Sequence, residues 1–155
     1  MTNAIAQLLQ PSCVLLDCEF KTSDEVIIAI GGKLFKAGLV KESFIQAAIA
    51  RESRLPTGLP LAGGINAAIP HTEIEHVLKP GLGMATLRKE IGFRNMVSPQ
   101  EIVPVRLVFL IALDQPKAQI EMLQDVAGVL QNPELVNRLM ILRNFKDVIN
   151  AFEGV

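Results

Sequence analysis

Tryptophan and tyrosine are absent from the sequence, and seven phenylalanines are its only aromatic residues. Half of the 155 residues are hydrophobic, so the chain can bury a core, and that core must be mainly aliphatic. An excess of one charge is missing too, because 15 basic residues stand against 16 acidic ones. Since a nucleic-acid partner needs a clustered basic face, the sequence predicts no binding to nucleic acid.

Cysteine and long apolar runs are scarce as well. Cys13 and Cys18 would point to opposite faces of a strand, which favours neither a disulfide nor a shared metal site. The longest apolar run, VFLIAL at 108–113, is far shorter than the roughly 20 residues that span a bilayer. The N-terminal residues lack the basic lead-in and long apolar core of a signal peptide. The sequence therefore predicts a cytoplasmic protein without a bound metal.

The spacing of apolar residues, glycines and prolines predicts the order strand, two helices, several strands and three helices. Thr22 and Glu25 have the spacing of a capping box, and Gly38 is placed to end the first helix. This order predicts an α/β (or α+β) domain over residues 1–155, with a single mixed sheet flanked by helices on both faces. The predicted strands are 13–18, 81–93, 105–113 and a short one within 55–71; the predicted helices are 22–37, 41–53, 117–130, 133–142 and 145–152.

Residues 67–76, AAIPHTEIEH, place a histidine directly after a proline. An isolated histidine in a small protein usually packs in the core or lies at the surface. His71, however, follows a glycine-rich loop at the end of a predicted strand, where α/β folds tend to place sites. Arg51 and Arg54 end the preceding helix, and arginine suits bidentate contact with phosphate. These features together favour a functional histidine.

Three other kinds of site fit these residues poorly. A metal site would require His71, Glu73 and His76 to converge, which neither strand nor helix spacing achieves. No G-x-S-x-G motif indicates a serine hydrolase, and GGKLFKAG lacks the glycine spacing of a P-loop. Nucleophilic chemistry by the imidazole remains, since phosphoryl transfer needs mainly positioning and charge stabilisation. No cofactor is predicted.

The segment ARESRLPTGLPLAGGINAAIPHTE, residues 50–73, resembles the active-site region of a known family. The family is the enzyme IIA domains of the bacterial phosphoenolpyruvate-dependent sugar phosphotransferase system, mannitol/fructose superfamily. The shared pattern is Ala-Arg-Glu at 50–52, Thr-Gly at 57–58 and Ala-Ile-Pro-His at 68–71. The resemblance runs from about Val14 to Phe152 and implies a cytoplasmic α/β phosphotransferase component.

The resemblance also implies roles for individual residues. His71 would accept a phosphoryl group at Nε2 from the phosphocarrier HPr and pass it to a cysteine of a IIB component. The membrane component IIC would be involved only indirectly. Arg51 would pair with the phosphoryl oxygens, while Thr57 and Gly58 would shape the neighbouring loop.

Two departures from the mannitol branch bear on the sugar. Thr72 and Glu73 follow the histidine where that branch has glycine, and Gln119 lies nearest to its second active-site histidine. Glutamine can donate a hydrogen bond to phosphate but cannot become cationic. With the PTG loop, these features most resemble the galactitol branch, which implies uptake of a sugar alcohol. His76 is interpreted as a neighbouring or surface residue that supports the phosphoryl site.

Two other functions stay open on the sequence. One is a regulatory, nitrogen-type IIA module phosphorylated on the same histidine, and the other is a binding scaffold without chemistry. A phosphocarrier should expose a small apolar patch, predicted around Leu55, Leu59 and Ile74, for transient docking of partners. A His71 sealed beneath those side chains would argue against transfer between proteins.

Overall fold

The computed structural model describes residues 3–154, which form one mixed sheet with helices packed on both faces. This arrangement confirms the predicted fold class. The strands are β1 (Leu9–Cys18), β2 (Gly58–Leu59), β3 (Asn66–Ala68), β4 (Gly81–Arg94) and β5 (Ile102–Ala112). The helices are α1 (Ala4–Leu8), α2 (Ser23–Lys36), α3 (Phe44–Arg54), α4 (Pro116–Leu130), α5 (Pro133–Ile141) and α6 (Phe145–Glu153), with a 3-10 turn at Ile74–His76.

The apolar β5 lies at the centre of the sheet, whose strand order is β1-β4-β5-β3-β2. It pairs antiparallel with β4 and parallel with β3, while β1 runs parallel to β4. Leu107, Phe109 and Ile111 contribute to the core on one face, and Val108 and Leu110 to the core on the other. The run reads as continuously apolar because both faces of this strand are covered.

Helices α2 and α3 cover one face of the sheet, and α1, α4, α5 and α6 cover the other. The first turn of α2 is capped as predicted, since Thr22 Oγ1 accepts from the Glu25 amide at 3.2 Å. Gly31 lets α3 approach, because a Cβ there would lie 2.8 Å from Cγ1 of Ile45. Within residues 3–154, no helix combines the length and the apolar character needed to cross a membrane.

The orientation of the two cysteines differs from the prediction, although neither forms a disulfide. Both are free thiols, and both pack against the core on the α2 and α3 face rather than pointing to opposite faces. The strict alternation fails because β1 has an irregularity between Leu15 and Cys18, where Asp17 adopts a φ of 55°. A bulge places an extra residue in the strand at that point, and this reverses the side of the sheet that the following residues face.

Residues 69–71 continue the line of β3 beside the end of β5. The amide of Ile111 donates to the carbonyl of Pro70 at 3.1 Å, and His71 forms a parallel bridge with Ile111. His71 therefore lies at the carboxyl ends of two parallel strands. The C-terminal end of α3 approaches the same place, since its residues Arg51 and Arg54 line a cavity with His71.

Candidate active site

The imidazole of His71 is held by one nitrogen and open at the other. Nδ1 lies 2.9 Å from the carbonyl oxygen of Ile69. Because a carbonyl can only accept, Nδ1 is the donor and carries the proton, which leaves the lone pair on Nε2. Within residues 3–154, Nε2 has no hydrogen-bond partner and is not among the buried polar atoms that lack one. Nε2 thus carries a free lone pair, and this nitrogen is accessible to solvent.

His71 lines an open cavity of about 250 Å³. The residue as a whole is only 7% exposed. Half-exposed Leu55 (51%) and Met96 (39%) stand at the rim of the cavity. The cavity is lined by Arg51, Arg54, Leu55, Pro56, Thr57, His71, Met96 and Pro99.

The predicted apolar patch is therefore only partly right. Leu55 lines the cavity, whereas Leu59 and Ile74 are half-buried and do not. Met96, in the segment after β4, takes a place at the rim that the sequence did not indicate. His71 is deep in the cavity, but it does not lie sealed beneath the three side chains.

The surroundings of His71 favour its neutral form. Burial lowers the pKa of His71 below its usual value, and Arg51 acts in the same direction. The hydrogen bond to Ile69 and the charge of Glu73 raise the pKa, but they do not outweigh burial. A neutral imidazole with its lone pair on Nε2 is a competent nucleophile at physiological pH.

Arg51 places a positive charge at the cavity, and one of its nitrogens already forms an ion pair. Its Nη1 donates to Oε2 of Glu73 at 2.9 Å, and its Nε is buried with no hydrogen-bond partner among residues 3–154. The same hydrogen bond lowers the pKa of Glu73, so this carboxylate is ionised. Arg54, which the motif did not single out as a site residue, lines the same cavity. Two guanidinium groups therefore accompany the imidazole.

A chain of hydrogen bonds runs from Glu52 to His71 through Thr57. Both carboxylate oxygens of Glu52 accept from Thr57, Oε2 from its amide and Oε1 from its hydroxyl, each at 2.8 Å. Thr57 Oγ1 in turn accepts from the amide of Ile69 at 3.1 Å, and the carbonyl of Ile69 receives the Nδ1 proton of His71. Thr57 thus anchors the amide of Ile69, the residue whose carbonyl orients the imidazole.

Gly58 has a packing reason to be glycine. A Cβ at this position would lie 2.6 Å from the carbonyl oxygen of Arg94. The carbonyl of Gly58 accepts from the amide of Met96 at 2.9 Å. The close approach of β2 to the end of β4 therefore brings Met96 to the rim of the cavity.

Gln119 and His76 lie next to the cavity rather than among the residues that line it. Gln119 Nε2 donates to the carbonyl of Thr72 at 3.1 Å, and its Oε1 is buried without a partner in the part of the chain that the structure describes. His76 Nδ1 lies 2.8 Å from the hydroxyl of Ser43. The structure therefore brings Arg51, Thr57 and His71 together. Gln119 contacts Thr72, the residue after His71, and His76 contacts Ser43.

The acidic cluster beside this site differs from the group weighed on the sequence. Ligand atoms of Glu73, Glu75 and His76 lie within 4.8 Å of one another, and His71 is not part of the group. Glu73 is engaged by Arg51 and His76 by Ser43. Two of the three members of this cluster are thus already hydrogen-bonded to other side chains.

Glu52 gives a pH-dependent prediction for stability. Burial raises the pKa of Glu52 from 4.5 to about 7, against the opposing effect of the Thr57 hydrogen bonds, Arg94 and Arg51. The folded state then holds this proton more tightly than the unfolded chain. The resulting stabilisation is complete below pH 4.5 and is lost as pH rises through 7. Relative to wild type, Glu52→Gln should gain up to about 3 kcal/mol in free energy of unfolding across this window.

Urea unfolding at several pH values between 4.5 and 8 measures this difference directly. The comparison between variants removes the opposite contribution of His71, whose lowered pKa makes the folded state gain stability as pH rises. Glu75→Gln, at an exposed position, should follow the wild-type curve and serves as the control. Parallel curves for wild type and Glu52→Gln would contradict the raised pKa.

Comparison with known proteins places this site in context. Residues 7–154 match the family model "Phosphoenolpyruvate-dependent sugar phosphotransferase system, EIIA 2". The galactitol-specific EIIA component of the phosphotransferase system of Escherichia coli K12 is 30% identical over 123 residues, which are 79% of this chain and 81% of that protein.

Two solved structures share the fold at lower identity. The complex of enzyme IIAMTL and phosphorylated enzyme IIBMTL from Escherichia coli matches with a TM-score of 0.75 and 23% identity, over 96% of this chain and 100% of that one. Nitrogen regulatory protein IIA-Ntr from Neisseria meningitidis matches with a TM-score of 0.73 and 20% identity, over 96% and 98%. The fold is thus shared by a mannitol-type IIA and by a protein named as a nitrogen regulator.

Proposed function

Because the chain belongs to the EIIA 2 family of the phosphoenolpyruvate-dependent sugar phosphotransferase system, and is thus a phosphotransferase component, we propose that Nε2 of His71 carries the phosphoryl group. The observation that supports this most is the Nδ1 hydrogen bond to Ile69, which leaves the Nε2 lone pair free. Arg51 and Arg54 line the same cavity and offer positive charge where a phosphoryl group would sit.

The proposed transfer moves one phosphoryl group without loss of a proton from His71. The Nε2 lone pair attacks phosphorus of the donor's phosphohistidine, and the new N–P bond forms as the donor's N–P bond breaks. The electron pair of the broken bond stays on the donor nitrogen. Nδ1 keeps its proton, and the carbonyl of Ile69 stabilises the positive charge that the ring acquires. In the second step, a thiolate attacks phosphorus and the electron pair returns to Nε2.

The remaining residues of the site receive supporting roles in this proposal. Arg51 contacts the phosphoryl oxygens, and Thr57 anchors Ile69, the residue whose carbonyl holds the imidazole. Gly58 permits the backbone approach that places the cavity rim. Gln119 holds the backbone after His71 by its hydrogen bond to the Thr72 carbonyl. His76 supports the same segment from its contact with Ser43. No step requires a metal or an organic cofactor, since positioning and charge stabilisation account for the transfer.

We propose phospho-HPr as donor and a cysteine of a IIB component as acceptor, with the membrane IIC component reached only through IIB. One structural relative is a IIA in complex with a phosphorylated IIB, which supports the second partner. The family resemblance implies that these exchanges are cytoplasmic and that residues 1–155 form one domain. Leu55 and Met96 at the rim give transient partners an apolar contact.

The sugar we propose is galactitol or a related sugar alcohol. The named relative at 30% identity is galactitol-specific. The chain also has Thr72, Glu73 and Gln119 where the mannitol branch differs. The sugar itself would not touch this domain, so specificity must be tested through the IIB partner. The regulatory alternative, a nitrogen-type module, uses the same histidine and lacks this onward step.

Intact-protein mass spectrometry tests the proposal with phosphoenolpyruvate, enzyme I and HPr as the donor system. We expect one acid-labile phosphoryl group, and ¹⁵N-labelled NMR should locate it on Nε2. Purified galactitol-type IIB should then remove it faster than mannitol-type IIB. No gain, with a known IIA phosphorylated in parallel, would overturn the carrier function. A gain that neither IIB drains would favour the regulatory alternative.

A further inference from the structure

Glu73 holds Arg51 from outside the cavity. Its Oε2 accepts from Nη1 of Arg51 at 2.9 Å, while the lining of the cavity includes Arg51 but not Glu73. Arg51 therefore bridges two places, with one nitrogen committed to the carboxylate and the rest of the guanidinium adjoining His71. A guanidinium is planar, so fixing one nitrogen by a hydrogen bond restricts the directions in which the other donors point.

One donor nitrogen of Arg51, Nη2, stays available for a second anion. Nη1 is the nitrogen that Glu73 occupies, and Nε is buried without a hydrogen-bond partner. Nη2 has no hydrogen bond within residues 3–154 and is not among the buried atoms that lack one. Nη2 is therefore the donor of Arg51 that an incoming phosphoryl oxygen can reach, whereas Nε, on the same edge of the guanidinium, is closed to solvent.

The segment that carries Glu73 is itself held by Gln119. Gln119 Nε2 donates to the carbonyl of Thr72 at 3.1 Å, and Thr72 Oγ1 donates to the carbonyl of Glu73 at 2.8 Å. Thr72 is 1% exposed, so this peptide is packed as well as hydrogen-bonded. The two departures from the mannitol pattern, Thr72-Glu73 and Gln119, therefore contact each other. Through Glu73 they are connected to Arg51.

We propose that Glu73 is a positioning residue for phosphoryl transfer, acting through Arg51 and placed by Gln119. This inference rests on the proposed function of His71. Glu73 binds Nη1 and so fixes the plane of the guanidinium, and with it the direction in which Nη2 donates to a phosphoryl oxygen, before the group arrives. The alternative action, competition of Glu73 with the phosphoryl group for Arg51, predicts the opposite sign, because removal of the carboxylate would then favour phosphorylation.

The test measures the rate of phosphoryl transfer from phospho-HPr by rapid quench. Glu73→Ala should slow transfer about ten-fold, because a mispositioned catalytic group costs one to two orders of magnitude. Glu73→Gln retains an acceptor oxygen at the same reach and should recover most of the rate. Glu75→Ala removes a neighbouring, exposed charge and should transfer at the wild-type rate. An unchanged or faster rate in Glu73→Ala would overturn the inference.

A double-mutant cycle identifies the route of the effect. In an Arg51→Lys background, Glu73→Ala should have no further effect on the rate, since the planar fork it positions is gone. Gln119→Ala should slow transfer less than Glu73→Ala. Full additivity of the Arg51 and Glu73 substitutions would show that Glu73 acts elsewhere, and would overturn the inference.

A second measurement needs no phosphoryl transfer. At low temperature, ¹⁵N NMR of the unphosphorylated protein should resolve separate Nη resonances for a restrained Arg51. These should merge in Glu73→Ala and persist in Glu73→Gln. If wild type fails to accept a phosphoryl group, the proposed function falls, while this spectrum still decides whether Glu73 restrains Arg51. A spectrum unaffected by Glu73→Ala would overturn the positioning role.

Discussion

His71→Gln should take up no phosphoryl group from phosphoenolpyruvate, enzyme I and HPr, whereas His76→Gln should still take up one. His71 and His76 are the only histidines in the sequence, so the pair assigns the accepting residue. Nε2 of His71 is open to the cavity, while His76 hydrogen-bonds Ser43 outside it. Glutamine keeps a polar side chain of similar reach but has no nucleophilic nitrogen. Intact-protein mass before and after brief acid treatment measures the outcome.

Folding of the variants must be compared for this result to be interpreted. Within residues 3–154, the His71 side chain makes one hydrogen bond, to the Ile69 carbonyl, and a glutamine amide can replace that donor. Circular dichroism and urea unfolding should therefore remain close to wild type. Phosphorylation of a folded His71→Gln protein would contradict the assignment, and loss of phosphorylation in His76→Gln would move it to the other histidine.

Arg51→Ala should slow phosphoryl transfer from phospho-HPr by about 10²- to 10³-fold, the usual cost of removing a donor that stabilises developing charge. Arg51→Lys should recover only a small part of the loss. Lysine keeps the charge but presents it at a single point, whereas arginine can bind two phosphoryl oxygens at once. Rapid-quench kinetics under single-turnover conditions separates this effect from binding of the partner.

Arg138→Ala provides a matched control, because it removes an exposed arginine on α5, away from the cavity. It should transfer the phosphoryl group at the wild-type rate. A loss of less than three-fold in Arg51→Ala would contradict the role of Arg51. Arg54, the second guanidinium of the cavity, would then be the first residue to examine.

Elements with strong local signals were predictable from the sequence. The apolar β5 needed a covered position, and the Thr22 cap is set by residues three apart in the chain. The helix α1 and the strand β2 were missed for different reasons. The five residues of α1 are too few for a periodic pattern, and its cap at Asn3 is a single side chain. The two residues of β2 are a strand only because they pair with β3.

The site divides in the same way between local and distant contacts. The motifs at 50–58 and 68–71 pointed to Arg51, Thr57 and His71, which the structure brings together. Their connections could not be predicted, because Arg51 and Glu73 are 22 positions apart and Gln119 and Thr72 are 47 apart. Glu52 followed Arg51 in the motif, but its contact with Thr57 depends on how the chain turns after α3.

The depth of His71 also bears on how long a phosphoryl group would survive. A phosphorylated imidazole can lose its phosphoryl group to water as well as to a partner protein. His71 is only 7% exposed, so few water molecules contact it. A protein nucleophile must enter the cavity to reach phosphorus, and the cavity walls limit the directions from which water can approach it. The cavity would thereby set the ratio of productive transfer to wasteful hydrolysis. Hydrolysis half-lives of the phosphoprotein, folded and in urea, would measure this shielding, and equal values would refute it.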